Sequence, residues 1–159
     1  MSALRLKRLK INNIFIFKLY FYMNNTFNSG KAPLPVGFYP HAKRAGNLLF
    51  LSGVGPRKRG SFNIPGVVLS KNGEVIDYDI KKQCCAVFQN IKSILEEAGS
   101  DWKNIIDVTV FLTNINRDFK EYNKLYKEYF KAPFPTRTTV EVSCLPTPIA
   151  IELKVIATI

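Results

Sequence analysis

The clearest hydrophobic pattern in the chain is a run over residues 77–98 in which apolar side chains recur every three or four positions. This spacing places them on one face of a helix. Asp77 or Asp79 can cap the start of that helix, and Gly99 follows its end. The pattern therefore predicts one long amphipathic helix, whose apolar positions are Ile80, Cys84, Val87, Phe88, Ile91, Leu95 and Ala98.

A second helix is predicted over residues 118–130, where aromatic side chains share one face. These are Phe119, Tyr122, Tyr126 and Tyr129. An aromatic stripe at helical spacing is more typical of a core than of a cofactor site, so we expect all four to be buried. The proline-rich stretch 132–135 ends the helix.

Strands are predicted where apolar and polar residues alternate. Residues 105–112 place Val108, Val110 and Leu112 on one face. A turn at Gly46-Asn47 precedes a buried strand over 48–52. Residues 67–69 form a short strand, a turn comes next at 71–74, and residues 24–35 are a loop.

Two alternating runs, 135–142 and 149–157, flank the sequence Leu145-Pro146-Thr147-Pro148. Arg137 falls on one strand and Glu152 on the next, each among small or apolar neighbours. A guanidinium and a carboxylate held in apolar surroundings suit a small anionic substrate. They equally suit a structural salt bridge inside the sheet, and the spacing alone favours that salt bridge.

The predicted order is β-β-(β)-α-β-α-β-β, with two helices on one face of a mixed sheet. This is an α+β two-layer sandwich. The other face carries valine and isoleucine besides Arg137 and Glu152, so we expect it to self-associate.

Charge is unevenly distributed along the 159 residues, whose length suits one domain. The net charge is +11, but residues 1–22 hold five basic residues and no acidic one, which leaves +6 for the rest. That remainder mixes acids with bases and lacks a basic stripe, so no nucleic-acid partner is predicted. The basic loop Arg57-Lys58-Arg59 could instead help to attract an anionic substrate.

Residues 1–35 differ in character from the rest of the chain. Their apolar run, Ile14 to Tyr22, is too short to span a membrane, and no signal-peptide cleavage pattern comes after it. A basic amphipathic segment that binds a surface is an alternative. We interpret 1–35 as a disordered tail or a start-site artefact, with Met23 as a possible true start, and 36–159 as the functional domain.

Three cysteines and one histidine do not form a metal-binding pattern. The thiols are expected to be reduced in a cytoplasmic protein, with Cys84 and Cys85 as small core residues. Nucleotide-binding and nucleophile-elbow motifs are missing from the sequence, so neither a metal nor a cofactor is predicted.

The stretch from Phe134 to Ala157 resembles the C-terminal signature of the Rid (YjgF-like, reactive intermediate deaminase) family, and the similarity extends back to about Val36. The subgroup that it resembles most is the 2-aminomuconate deaminases. The supporting motifs are Tyr39-Pro40-His41-Ala42, Ser52-Gly53-Val54-Gly55-Pro56-Arg57, Ile64-Pro65-Gly66-Val67, Val110-Phe111-Leu112-Thr113-Asn114 and Pro135-Thr136-Arg137-Thr138-Thr139-Val140-Glu141.

The resemblance implies a chorismate-mutase-like fold and a homotrimer with active sites between subunits. It also implies hydrolysis of an enamine or imine to a ketone and ammonia. Arg137 matches the arginine that binds the substrate carboxylate, and Glu152 matches the glutamate that orients or activates water. Further matches or candidates for substrate binding are Tyr39, Ser52, Gly53, His41 and Asn114. A capping or turn role is as plausible for Asn114, and a packing role for His41.

Two departures bear on the activity. Thr139 stands where many housekeeping Rid proteins have cysteine, and Lys154 replaces a second glutamate. The first excludes thiol chemistry at that position. The sequence therefore predicts a cofactor-independent deaminase of 2-aminomuconate. The alternatives are a broad-specificity 2-iminobutanoate/2-iminopropanoate deaminase and a non-catalytic ligand-binding protein.

Overall fold

A computed structural model describes residues 25–159, so the predictions for the leader 1–22 and for a start at Met23 lie outside the described residues. The elements are β1 (Thr26–Phe27), β2 (Ala42–Ala45), β3 (Leu48–Leu51), β4 (Val67–Leu69), β5 (Val75–Tyr78), α1 (Ile80–Glu97), a 3₁₀ turn (Trp102–Asn104), β6 (Ile105–Leu112), α2 (Ile115–Tyr129), β7 (Thr136–Glu141) and β8 (Ile151–Thr158).

Six strands form one mixed sheet in the order β1-β2-β3-β8-β6-β7, and β4 pairs with β5 in a separate hairpin. Strand β1 lies within 24–35, so the prediction of a loop over that range was wrong at Thr26–Phe27. Only β6 and β7 run parallel among these pairs. A parallel pair needs a crossover connection, and α2 supplies it. The predicted α+β architecture, with two helices packed on a mixed sheet, is confirmed.

The core lies between the sheet and the helices. Ile151, Leu153 and Val155 of β8 are fully buried and belong to the same cluster as Val87 and Ile91 of α1. Among residues 25–159, no helix packs on the opposite sheet face. There Phe50 pairs with Ile156, and Val140 remains 38% exposed, so apolar area is left uncovered in one chain.

Both helices begin where a side chain caps them. The Asp79 side chain accepts the backbone N–H of Lys82 at 3.1 Å, and α1 starts at Ile80. Residues 77 and 78 therefore belong to β5, a strand that the sequence pattern missed. Helix α2 starts at Ile115, three residues before the predicted start, because Asn114 accepts the N–H of Arg117 at 2.9 Å.

The aromatic stripe of α2 is only half buried. Tyr122 and Tyr126 are in the core, whereas Phe119 is 38% and Tyr129 42% exposed. These two lie at the edges of the stripe, since successive helical residues turn by about 100°. Cys85 is exposed beside its buried neighbour Cys84 for the same reason, so its prediction as a core residue was wrong.

Across residues 25–159, helices that combine the length and apolarity needed to cross a membrane are not found.

Candidate functional site

Glu152 and Gly53 are held side by side by a short backbone bridge. Val54 donates to the carbonyl of Leu153 at 2.8 Å, and Leu153 donates back to Val54 at 3.1 Å. Because this bridge is antiparallel, Gly55 lies opposite Glu152 and Gly53 lies opposite Lys154, and the Glu152 side chain reaches diagonally to Gly53. A Cβ built on Gly53 would lie 2.6 Å from the carboxylate carbon of Glu152. The lack of a side chain at position 53 thus permits the close approach of the Glu152 carboxylate, which an added Cβ would displace.

A small cavity adjoins this contact and encloses about 30 Å³. Its lining includes Tyr39, His41, Ser52, Gly53 and Arg57. Four of the predicted substrate-binding residues therefore meet in one place. The volume is that of about one water molecule, so an organic substrate would have to lie over the opening. Tyr39, 42% exposed, stands at the surface of this region.

Glu152 has the electrostatic environment of a proton-transfer group. The side chain is half-buried, and this burial raises the pKa of its carboxyl above the ordinary value, because the charged form is poorly solvated. The positive charge of Arg57 lowers the same pKa and opposes the burial. A carboxyl whose pKa is raised towards neutrality exchanges protons more readily at physiological pH.

His41 uses both ring nitrogens within the fold. Nδ1 accepts the backbone N–H of Ser29 at 3.1 Å, and Nε2 lies 2.8 Å from the carbonyl of Pro33, to which it donates. These two bonds fix the segment that forms one wall of the cavity. The packing role that the sequence left open for His41 is the one that these contacts support.

Ser52 also forms hydrogen bonds within the chain. Its hydroxyl donates to the carbonyl of Pro40 at 2.7 Å, and its backbone N–H donates to the carbonyl of His41 at 3.0 Å. The hydroxyl oxygen keeps its acceptor lone pairs for another group. Ser52 therefore shapes the cavity and can still accept a hydrogen bond from a ligand.

Arg137 lies on the helix-covered side of the sheet and Glu152 on the other side, so the prediction that the uncovered face carries both was wrong for Arg137. In the strand register, Arg137 pairs with the core residue Val108, whereas Glu152 pairs with Phe111. Paired residues share a face, and residues an odd number of positions apart on one strand do not. The salt bridge between Arg137 and Glu152, one interpretation of their spacing, is therefore not formed within a chain.

The guanidinium of Arg137 rests on the aromatic face of α2. Its central carbon is 4.5 Å from the ring centroid of Tyr126 and 5.6 Å from that of Tyr122, which are cation–π distances. Burial raises the pKa of the Tyr122 hydroxyl, and the charge of Arg137 opposes that rise. We call Arg137, Tyr122, Tyr126 and Thr139 the arginine cluster. Two buried hydroxyls in it, those of Tyr126 and Thr139, find no hydrogen-bond partner among the described residues.

Asn114 is placed away from the Glu152 cavity. It caps α2 and lines a separate cavity of about 540 Å³ together with Tyr78, Arg117 and Cys144. The polar groups there are already engaged. Arg117 contacts Asp77 at 2.8 Å, and the Tyr78 hydroxyl donates to the buried Asp118 at 2.7 Å. Burial and this carboxylate raise the pKa of Tyr78 to about 12.

Two residues near Glu152 had not been assigned to the site from the sequence. Arg57 was recognised only as part of a basic loop, yet its side chain lines the cavity. Asn90 of α1 donates to the carbonyls of Gly55 and Arg57, both at 2.9 Å, and so holds the loop in place. The basic run after Ser52-Gly53 was a usable signal for Arg57, but no pattern marked Asn90.

No group of three or more histidine, cysteine, aspartate or glutamate side chains that could hold a metal ion occurs between residues 25 and 159.

Comparison with known proteins places this chain in a family. The family model described as Endoribonuclease L-PSP matches residues 29–159. A RutC family protein of Pyrococcus abyssi is 42% identical over 127 residues, which are 80% of this chain and 91% of that protein. A 2-iminobutanoate/2-iminopropanoate deaminase of Dermatophagoides farinae is 33% identical over 80% of this chain and 91% of its own.

The fold comparison agrees. The crystal structure of the YjgF gene product from E. coli superimposes with a TM-score of 0.71 and 31% identity, over 84% of this chain and 97% of that one. The family expected from the motifs is confirmed, whereas the 2-aminomuconate subgroup stays a prediction. The chain belongs to the Endoribonuclease L-PSP family, which includes the YjgF, Rid and RutC-type proteins.

Proposed function

We propose that this chain is a cofactor-independent deaminase that hydrolyses 2-imino acids and their enamine tautomers. The observation that carries the proposal is the half-buried Glu152, with its raised pKa, against Gly53, which lines a cavity together with Tyr39, Ser52 and Arg57. A related chain carries the name of an imine deaminase, which supports the same class of activity here.

The reaction needs proton transfer but no redox step. An enamine first takes a proton at carbon and becomes the imine. Water then adds to the C=N carbon and loses a proton to Glu152, and the resulting amine is protonated and leaves as ammonia, so that C=N and H₂O become C=O and NH₃. A single carboxyl that accepts and returns a proton can serve these steps.

The substrate carboxylate is assigned to Arg137, and this assignment requires more than one copy of the chain. Arg137 and Glu152 lie on opposite faces of one sheet, with β6 between their strands. They can act on one substrate if the arginine cluster of a second copy approaches the Glu152 cavity of the first. The uncovered apolar sheet face supports such an assembly. We propose a homotrimer with its sites between subunits.

For the substrate, the 2-iminobutanoate and 2-iminopropanoate class now has the stronger support, because a relative carries the name of a deaminase of these two compounds. 2-Aminomuconate, the first expectation, is kept as a comparison substrate. The cytoplasmic location stays a prediction.

The test measures ammonia release from 2-iminopropanoate and 2-iminobutanoate generated in situ, and from freshly prepared 2-aminomuconate. We expect acceleration over uncatalysed hydrolysis with the first two. Glu152→Gln should lower turnover by about 10²–10⁴-fold, with the fold retained. The acid limb of the pH–rate profile, set by the raised pKa of Glu152, should be lost with it.

Glu96→Gln, the same substitution at an exposed position of α1, is the matched control and should keep wild-type turnover. Folded wild-type protein that accelerates none of the three reactions would leave the non-catalytic ligand-binding protein as the surviving alternative.

A further inference from the structure

Arg57 is a basic residue that lines the Glu152 cavity. It follows Gly53 by four residues, and its half-buried side chain lines the Glu152 cavity with Tyr39 and Ser52. Its positive charge lowers the pKa of the Glu152 carboxyl and so opposes the effect of burial on that group. Even so, no carboxylate oxygen lies within ion-pair distance of the Arg57 guanidinium among residues 25–159.

The position of Arg57 is fixed by the fold. Asn90 holds the backbone on both sides of the buried Pro56 through the carbonyls of Gly55 and Arg57. The guanidinium Nη2 donates to the carbonyl of Leu34 at 2.6 Å. Arginine has five N–H donors, so this contact orients the planar group and leaves donors to bind an anion. A side chain held in this way loses little conformational entropy when it binds.

The neighbouring cations of the same loop do not share this role. Lys58 is exposed and does not line the cavity. Arg59 donates to the carbonyls of Ala32 at 3.0 Å and Ser29 at 3.4 Å, and so clamps the wall segment. Arg57 is thus the basic residue of this loop that faces the cavity.

We propose that Arg57 binds a second carboxylate, at the end of the substrate remote from the one assigned to Arg137, so that a dicarboxylic imine or enamine binds more tightly than its monocarboxylic counterpart. This inference rests on the proposed deaminase function. A fixed guanidinium can bind a carboxylate bidentately, and a partly desolvated cation without an ion-pair partner gains more from that contact than an exposed one. A monocarboxylic substrate leaves this contact unmade.

The test compares two substrates that differ by one carboxylate. 2-Iminosuccinate and 2-iminopropanoate are generated in situ by oxidation of aspartate and alanine, and kcat/KM is measured for each. We expect the ratio of dicarboxylic to monocarboxylic kcat/KM to fall about tenfold or more in Arg57→Gln, since a charge-assisted hydrogen bond is lost. The change should appear mainly in KM for 2-iminosuccinate.

Arg57→Lys keeps the charge but not the planar fork, and should give an intermediate ratio. Lys58→Gln removes one positive charge from the adjacent residue and should leave the ratio unchanged. Any effect of Arg57 on the protonation of Glu152 acts on both substrates alike, so it cancels in the ratio.

The outcomes separate the two proposals. An equal change of kcat/KM for both substrates in Arg57→Gln would overturn the second-carboxylate site while leaving the deaminase function standing. Wild-type protein inactive on both imines and on 2-aminomuconate would remove the deaminase function itself.

Discussion

The Glu152 cavity and the arginine cluster are constructed in opposite ways. Around the cavity, the polar groups of the wall are bonded within the chain: His41 uses both ring nitrogens, and the Ser52 hydroxyl donates to Pro40. In the arginine cluster, the hydroxyls of Tyr126 and Thr139 are buried without partners among the described residues, and the Arg137 side chain rests on aromatic rings. Buried polar groups without partners are rare in completed structures.

The difference indicates which of the two surfaces has its polar groups hydrogen-bonded within one chain. The cavity has a wall fixed by internal hydrogen bonds beside the Glu152 carboxylate, whereas the arginine cluster offers hydrogen-bonding capacity that nothing described in the chain uses. A surface with unused hydrogen-bonding groups, such as the arginine cluster, is suited to bind another molecule. This contrast supports the proposal that the arginine cluster completes the cavity of another copy.

The largest effect is expected when two variant subunits are combined in one trimer. Glu152→Gln and Arg137→Ala should each be inactive alone, because each removes one half of every site. Trimers reassembled from equal amounts of both should recover about one quarter of wild-type activity, since a quarter of the sites would join two intact halves. Ammonia release is measured on trimers whose mixed composition is verified by mass spectrometry. Mixed trimers as inactive as the parents would contradict the shared site.

Gly53→Ala is expected to disturb the Glu152 cavity without changing the arginine cluster. The added methyl would overlap the Glu152 carboxylate, which must rotate away because it is the flexible end of a side chain. A displacement of about 1 Å can cost up to about 10²-fold in turnover, so we expect a large loss of kcat with a small change in melting temperature. Gly30→Ala, whose added methyl would meet the Glu97 carboxylate at 3.5 Å and which does not line the cavity, is the control. Unchanged kcat in Gly53→Ala would remove the basis for the Glu152 assignment.

Tyr126→Leu is expected to weaken the arginine cluster without changing the Glu152 cavity. This substitution removes the ring that lies 4.5 Å from the Arg137 guanidinium. Such a contact contributes about 0.5–2 kcal/mol, so KM should rise by about 2- to 30-fold with kcat less affected. Tyr126→Phe keeps the ring and should keep KM near the wild-type value. If both variants raise KM equally, the hydroxyl and not the ring would be responsible.

The smallest expected kinetic effect comes from the cavity wall. His41→Leu leaves the Ser29 N–H and the Pro33 carbonyl without their partner, which should lower the free energy of unfolding by about 1–3 kcal/mol. His41→Gln carries both a donor and an acceptor and should recover part of that loss. Thermal unfolding is the measurement. A His41→Leu protein of wild-type stability but much reduced turnover would show that His41 acts on the substrate.

The sheet and both helices could be predicted from the sequence because their apolar spacing is regular. Strand β6 was predicted with its observed bounds, and the alternation of Ile151, Leu153 and Val155 indicated the correct face of β8. Strand β5 was missed because its residues join the acidic start of α1 without a break in polarity. The start of α2 was predicted three residues late because the capping role considered for Asn114, which the structure shows, was not used to place the start of the helix.

The site was only partly predictable. The alternation of residues could show that Arg137 and Thr139 share one face of β7. It could not show whether that face is continuous with the core face of β8, because the parallel pairing of β6 and β7 sets this relation. Arg57 and Asn90 come together through contacts between residues that are distant in sequence. Spacing along a single strand or helix carries no record of such contacts.

The separation of Arg137 and Glu152 onto opposite sheet faces has a thermodynamic consequence. If a substrate must touch both, then binding and association are linked by mass action. Specific activity would fall when the protein is diluted below its assembly constant, and a substrate analogue would restore it by favouring the associated state. Catalytic capacity would then depend on protein concentration as well as on substrate, which is a form of control that requires no regulatory site.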